Sequence, residues 1–149
     1  MGLEQKVQEA LKKAMLAKDQ AGMRTLRAIK SALMLVKTEK GFSGEITEEQ
    51  EIQILQKMVK QRKESLDVYE NQGREDLAAT EKEEIEIIEK FLPEQLNEDK
   101  IRAIIATIIQ KTGASSMKDM GKVMGMANKE MAGKADGKTI AEIVKASLQ

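Results

Sequence analysis

The chain has 149 residues, with 25 basic and 25 acidic side chains and neither cysteine nor histidine. That length buries a core in one domain or two small ones. The missing residue types exclude disulfides, thiol chemistry, His/Cys zinc sites and a histidine general base.

Charge is unevenly placed along the chain. Basic residues outnumber acidic ones 9 to 4 over residues 1–40 and 9 to 6 over 97–149, while acidic residues lead 15 to 7 over 41–96. Such an acidic middle between basic ends suits an anionic partner at an end better than a uniformly mixed surface does. No apolar run approaches the roughly 18 residues that span a bilayer. The first residues carry no signal-type apolar region, and Lys6 stands where a myristoylation signal has Ser or Thr. The expectation is a soluble cytoplasmic protein with no membrane partner.

Leu3, Val7, Leu11, Ala14 and Met15 recur at three and four residues and predict a first helix. A second follows from about Ala21, with Met23, Leu26, Ile29, Leu33 and Val36 on its stripe, and ends at the loop Gly41-Phe42-Ser43-Gly44. Thr47 and Gln50 form a capping-box pattern that opens a long third helix, lined by Ile52, Leu55, Val59, Leu66 and Tyr69 and stopped by Gly73. The fourth runs from about Glu75 to Phe91, with Leu77, Ile85, Ile88 and Phe91 inward. Pro93, the one proline, ends it and marks the domain boundary.

Beyond Pro93, Asn97-Glu98-Asp99 caps a fifth helix that carries Ile101, Ile104, Ile105, Ile108 and Ile109 up to Gly113. Ser116 and Asp119 open a sixth, with Met117, Met120, Met124 and Ala127 facing its core. A seventh begins near Asp136–Thr139 and buries Ile140, Ile143, Val144 and Leu148. The expected fold is all-α: an N-terminal four-helix domain (residues 1–92) followed by a C-terminal three-helix domain (residues 95–149). With only Phe42, Tyr69 and Phe91 as aromatics, the core is aliphatic, and ten methionines fill its gaps or form an adaptable surface.

Catalytic chemistry finds little material. No serine stands in a Gly-x-Ser-x-Gly elbow, and the carboxylates of Glu81-Lys82-Glu83-Glu84-Ile85-Glu86 alternate with Lys as on a solvated helix face. The run Gly133-Lys134-Ala135-Asp136-Gly137-Lys138-Thr139 ends as a phosphate-binding loop does. It has three residues between its glycines where that loop needs four, and no strand precedes it. No catalytic residue, cofactor or metal is expected.

Five of the ten glycines follow residue 112: Gly113, Gly121, Gly125, Gly133 and Gly137. Gly121 and Gly125 lie one turn apart on one helix face, and a glycine inside a helix costs about 1 kcal/mol relative to alanine. Close approach by another group compensates such a cost. That group is either a neighbouring helix or a phosphate backbone met by Lys118, Lys122, Lys129, Lys134 and Lys138, with Gly137 offering amides at a helix start. This third of the chain has no aromatic residue for base stacking, so an RNA partner would be held by its backbone and shape.

The stretches Lys57–Ser65 and Glu89–Leu96, together with Met120-Gly121-Lys122-Val123-Met124-Gly125 and Gly133-Lys134-Ala135-Asp136-Gly137, resemble signature segments of the YqeY-like family. The resemblance covers essentially the whole chain. It implies a helical N-terminal domain and a tail-like domain similar to that of the B subunit of the glutamine-dependent aminoacyl-tRNA amidotransferase. Such tails also occur on some glutaminyl-tRNA synthetases. A label of carbon–nitrogen ligase with glutamine as amido donor would come with the family, yet the catalytic parts of that complex have no counterpart here. The expected function is a tRNA-associated accessory or binding module, with Lys118, Gly121, Lys122, Gly125, Lys129, Gly133, Lys134, Gly137 and Lys138 as candidate tRNA contacts. The alternative is a protein–protein adaptor within an amidotransferase or synthetase complex.

Overall fold

A computed structural model of the chain describes residues 2–149, and its regular elements are all helical. They are α1 (Leu3–Leu16), α2 (Gln20–Lys37), α3 (Glu48–Asn71), α4 (Glu75–Glu89), α5 (Glu98–Thr112), α6 (Met120–Glu130) and α7 (Gly137–Leu148). A single 3-10 turn, Met117–Asp119, precedes α6. The all-α expectation therefore holds. The chain divides into two compact units, Met1–Leu92 and Pro93–Gln149, each with its own apolar cluster. No described helix is long and apolar enough to cross a membrane.

Local chemistry sets the helix ends. At α3 the Thr47 hydroxyl accepts from the Gln50 N–H at 3.1 Å while the Gln50 side chain accepts from the Thr47 N–H at 2.9 Å, closing the predicted capping box. Asn97 caps α5 through the Lys100 N–H, and Asp19 caps α2 through the Gly22 N–H. At the end of α3, Gly73 takes a left-handed conformation while Arg74 and Gly73 donate back to the carbonyls of Tyr69 and Glu70. The same pair of bonds ends α1, where Asp19 and Lys18 reach Ala14 and Met15, but the left-handed position is held by Lys18 (φ 55°).

In the N-terminal unit, α2 packs against both α1 and α4, and α4 against α3. Val7, Ile29, Leu33, Leu55 and Ile88 are buried at the centre. Met15 does not join them; one residue past Ala14 turns it about 100° off the stripe, and it is exposed. On α3 the buried positions are Leu55, Met58 and Val59, while Ile52, Leu66 and Tyr69 are half-buried at the edge.

The acidic run of α4 is not wholly a solvated face. Glu84 is buried, and its carboxylate meets Arg62 of α3 at 3.3 Å and Arg24 of α2 at 3.6 Å. Arg62 also donates to the Met58 carbonyl at 3.1 Å, so the guanidinium is fixed at both ends. Three helices are thus clasped by one carboxylate, because a buried charge persists only when paired and hydrogen-bonded.

Candidate nucleic-acid interface

The C-terminal unit is built around isoleucine. Ile101, Ile105 and Ile108 of α5 meet Ile140, Ile143, Val144 and Leu148 of α7. Against both packs α6, which buries Val123 and Ala127 and ends at the fully buried Met131. Met120 and Met124 are half-buried beside this stripe.

Phase explains what was misplaced from sequence. Before α6 the chain makes a 3-10 turn, closed by the Asp119 carboxylate, which accepts from the Ser115 N–H at 3.0 Å and the Ser116 N–H at 3.4 Å. A 3-10 turn advances about 120° per residue, so an α-helical stripe extended backwards loses register there. Met117, expected in the core, is exposed as a result; within α6 itself Val123, four residues before Ala127, is fully buried. Met126 is exposed on the same helix.

With Val123, Ala127 and Met131 inward, the 3.6-residue period turns Gly121, Lys122, Gly125, Asn128 and Lys129 outward, and all five are exposed. A Cβ placed on Gly121 or on Gly125 meets nothing within 4 Å. Packing against a neighbouring helix of this unit therefore does not account for either glycine. Lys118 is exposed at the start of the same face. Among the described residues, Lys118, Lys122, Lys129, Lys134 and Lys138 take part in no ion pair.

Gly133 behaves differently. It is buried with φ 76°, and its carbonyl accepts from the Gln95 side chain at 2.7 Å. The next carbonyl, of Lys134, accepts from the Leu96 N–H at 2.9 Å. Gln95 spends its second amide proton on the Pro93 carbonyl at 2.8 Å. The segment Pro93–Leu96 is thereby strapped to the turn between α6 and α7, and two of the signature stretches meet backbone to backbone. A left-handed buried position suits glycine alone among small residues, which gives Gly133 a structural duty. Sequence reasoning had no signal for this pairing, since it joins residues 38 positions apart through a side-chain amide.

Gly137 opens α7 and is exposed with open space about it. The Asp136 carboxylate caps this helix, accepting from the Lys138 N–H at 3.4 Å. A carboxylate already sits where free amides were expected, so the α7 start offers an anion less than Gly137 alone suggests. The candidate residues thus separate into three groups. Lys118, Gly121, Lys122, Gly125 and Lys129 share one exposed face, Gly133 is internal with Lys134 exposed beside it, and Gly137 and Lys138 lie at the capped start of α7.

This is an all-helical protein of two compact units whose smaller unit displays an open face of glycine and unpaired lysine. It belongs to the YqeY-like family, whose model ("Yqey-like protein") matches residues 4–148. Two yeast proteins, both named altered inheritance of mitochondria protein 41, mitochondrial, are similar to it. The Clavispora lusitaniae protein is 42% identical over 82 residues, covering 55% of this chain and 46% of its own length. The Vanderwaltozyma polyspora protein is 31% identical over 120 residues, covering 74% of this chain and 62% of its own length. The chain therefore spans about half to three fifths of these relatives.

Proposed function

We propose that this protein is a tRNA-associated accessory or binding module, without catalytic machinery of its own, that works through the outer face of α6. The observation that carries this reading is the open space over Gly121 and Gly125 beside the unpaired Lys118, Lys122 and Lys129. A glycine pair with no neighbour lets a phosphate backbone come close to the helix, and the lysines supply the countercharge. The resemblance to the tail of the amidotransferase B subunit supports tRNA as the particular polyanion. On this reading a carbon–nitrogen ligase activity would reside in partner subunits and not in this chain.

A mobility-shift titration with tRNA across a salt series tests it. The affinity falls as salt rises, and Lys122→Glu with Lys129→Glu lowers the slope of log affinity against log salt by about 2. Absence of a shift at low salt rules the reading out.

A second reading, a protein–protein adaptor within an amidotransferase or synthetase complex, is favoured by Met117 and Met126, exposed on the same segment. Capture of partners before and after nuclease treatment separates the two: partners lost with RNA favour the first, partners retained favour the second. The reading holds in the cytosol, as expected from the sequence, and equally in a mitochondrion, as the names of the yeast relatives suggest.

A further inference from the structure

We propose that the turn joining α1 to α2 is a peripheral docking tip for an anionic lipid surface. Leu16, the last residue of α1, is 87% exposed and Met15 beside it is 52% exposed, although both end a helix that buries Leu3, Val7, Leu11 and Ala14. Lys12 and Lys13 precede Leu16 by four and three residues and so stand on its side of the helix. Lys18 follows in the turn, held in its left-handed conformation by the bonds that close α1.

All three lysines are exposed, and none takes part in an ion pair among the described residues. Of the acids nearby, Asp19 is committed to capping α2 through the Gly22 N–H at 3.0 Å, and Glu9, one turn before Lys12 and Lys13, forms no ion pair with either among the described residues. The negative end of the α1 dipole accounts for a lysine in its last turn. It does not account for an aliphatic pair left in water in the midst of three unneutralised cations.

A lipid headgroup layer satisfies both features at once. Its anionic phosphates and carboxylates take the lysines, and the acyl boundary just below takes Leu16 and Met15. An RNA backbone would use the lysines but leave the aliphatic pair in water, which is why the lipid surface is the occupant of choice. Contact of this kind needs no spanning helix. It is also independent of the α6 face, since the two lie in different units of the chain.

Flotation of the full chain with vesicles tests the proposal, using phosphatidylcholine alone and phosphatidylcholine with an equal part of phosphatidylserine. The chain should float with the mixed vesicles and not with the neutral ones, and salt should release it. Leu16→Asn should lower partitioning about tenfold, from the loss of one inserted aliphatic side chain. Lys12→Gln, Lys13→Gln and Lys18→Asn together should lower it about a hundredfold. Asn tolerates the left-handed turn, and helicity measured by circular dichroism should be unchanged in both variants. Failure of the native chain to float with the mixed vesicles, or equal flotation of the Leu16→Asn variant, overturns the proposal. So does a lysine variant that loses tRNA binding while its flotation stays at the native level, which would assign the tip to RNA.

Discussion

At the junction of α2, α3 and α4 the cations Arg24 and Arg62 close on the buried carboxylate of Glu84, whereas on the outer face of α6 the cations Lys118, Lys122 and Lys129 form no ion pair among the described residues. Each cluster takes one cation from a stretch that resembles a family signature, Arg62 from Lys57–Ser65 and Lys122 from Met120–Gly125. The difference separates two uses of charge. A charge matched within the chain holds helices together, and its geometry is complete. On the proposed function, a charge left unmatched beside glycines that face open space finds its complement in a partner outside the chain.

Breaking the closed cluster should give the largest effect on stability. Arg62→Ala removes the better-buried partner of Glu84 and should cost about 3 kcal/mol in chemical denaturation, since the carboxylate keeps only the half-exposed Arg24. In conditions where the variant is still folded, tRNA affinity should be unchanged. A large loss of affinity in a fully folded Arg62→Ala protein would erase the distinction between the two clusters.

Next in size is the contrast between glycines. Gly133→Ala forces a side chain into a buried left-handed position whose carbonyl anchors Gln95, and should destabilise the fold by about 2 kcal/mol. Gly125→Ala should do the opposite and stabilise by about 1 kcal/mol, because the position is exposed, helical and free of neighbours. Thermal melting of the two variants side by side checks both signs.

The smallest effect sharpens the closed cluster. Burial holds the Glu81 carboxyl above its ordinary range, with repulsion from Glu84 adding to the shift and Arg62 and Arg24 opposing it. The ionised form is then the disfavoured one in the folded state. Glu81 therefore contributes its stability at pH values below the carboxylate range, and that contribution is lost as pH rises through the raised value. Glu81→Gln should raise the melting temperature slightly at neutral pH. It should leave it unchanged near about pH 3, where the carboxyl is protonated in both states.

How much of this was legible in the sequence depends on the range of the interactions. The seven helices were, because caps at Thr47 and Asn97, left-handed stops at Gly73 and Gly113, and a 3.6-residue stripe all act within a few residues. The burial of Glu84 was not. Its partners come from two other helices, and a Glu flanked by Lys and Glu reads as solvated until those helices are placed. Met117 was misplaced because a 3-10 turn shifts phase ahead of α6, whereas Val123, four residues before Ala127 on the same helix, was within reach of the stripe and was passed over for the methionines. For the candidate face, sequence supplied the spacing of Gly121 and Gly125 but could not distinguish packing from open space. Only the position of neighbouring atoms does that. The strap from Gln95 to Gly133 stayed hidden for the same reason as Glu84.

The central claim is that the open glycine face of α6 meets a tRNA backbone, and the double variant Gly121→Ala with Gly125→Ala tests it most directly. Melting and tRNA titration would be measured on the same protein. The account predicts a variant that melts higher than the native chain and binds tRNA more weakly, because two methyl groups fill space that is empty in the chain but occupied in the complex. A variant that is stabilised and binds tRNA with native affinity would contradict it.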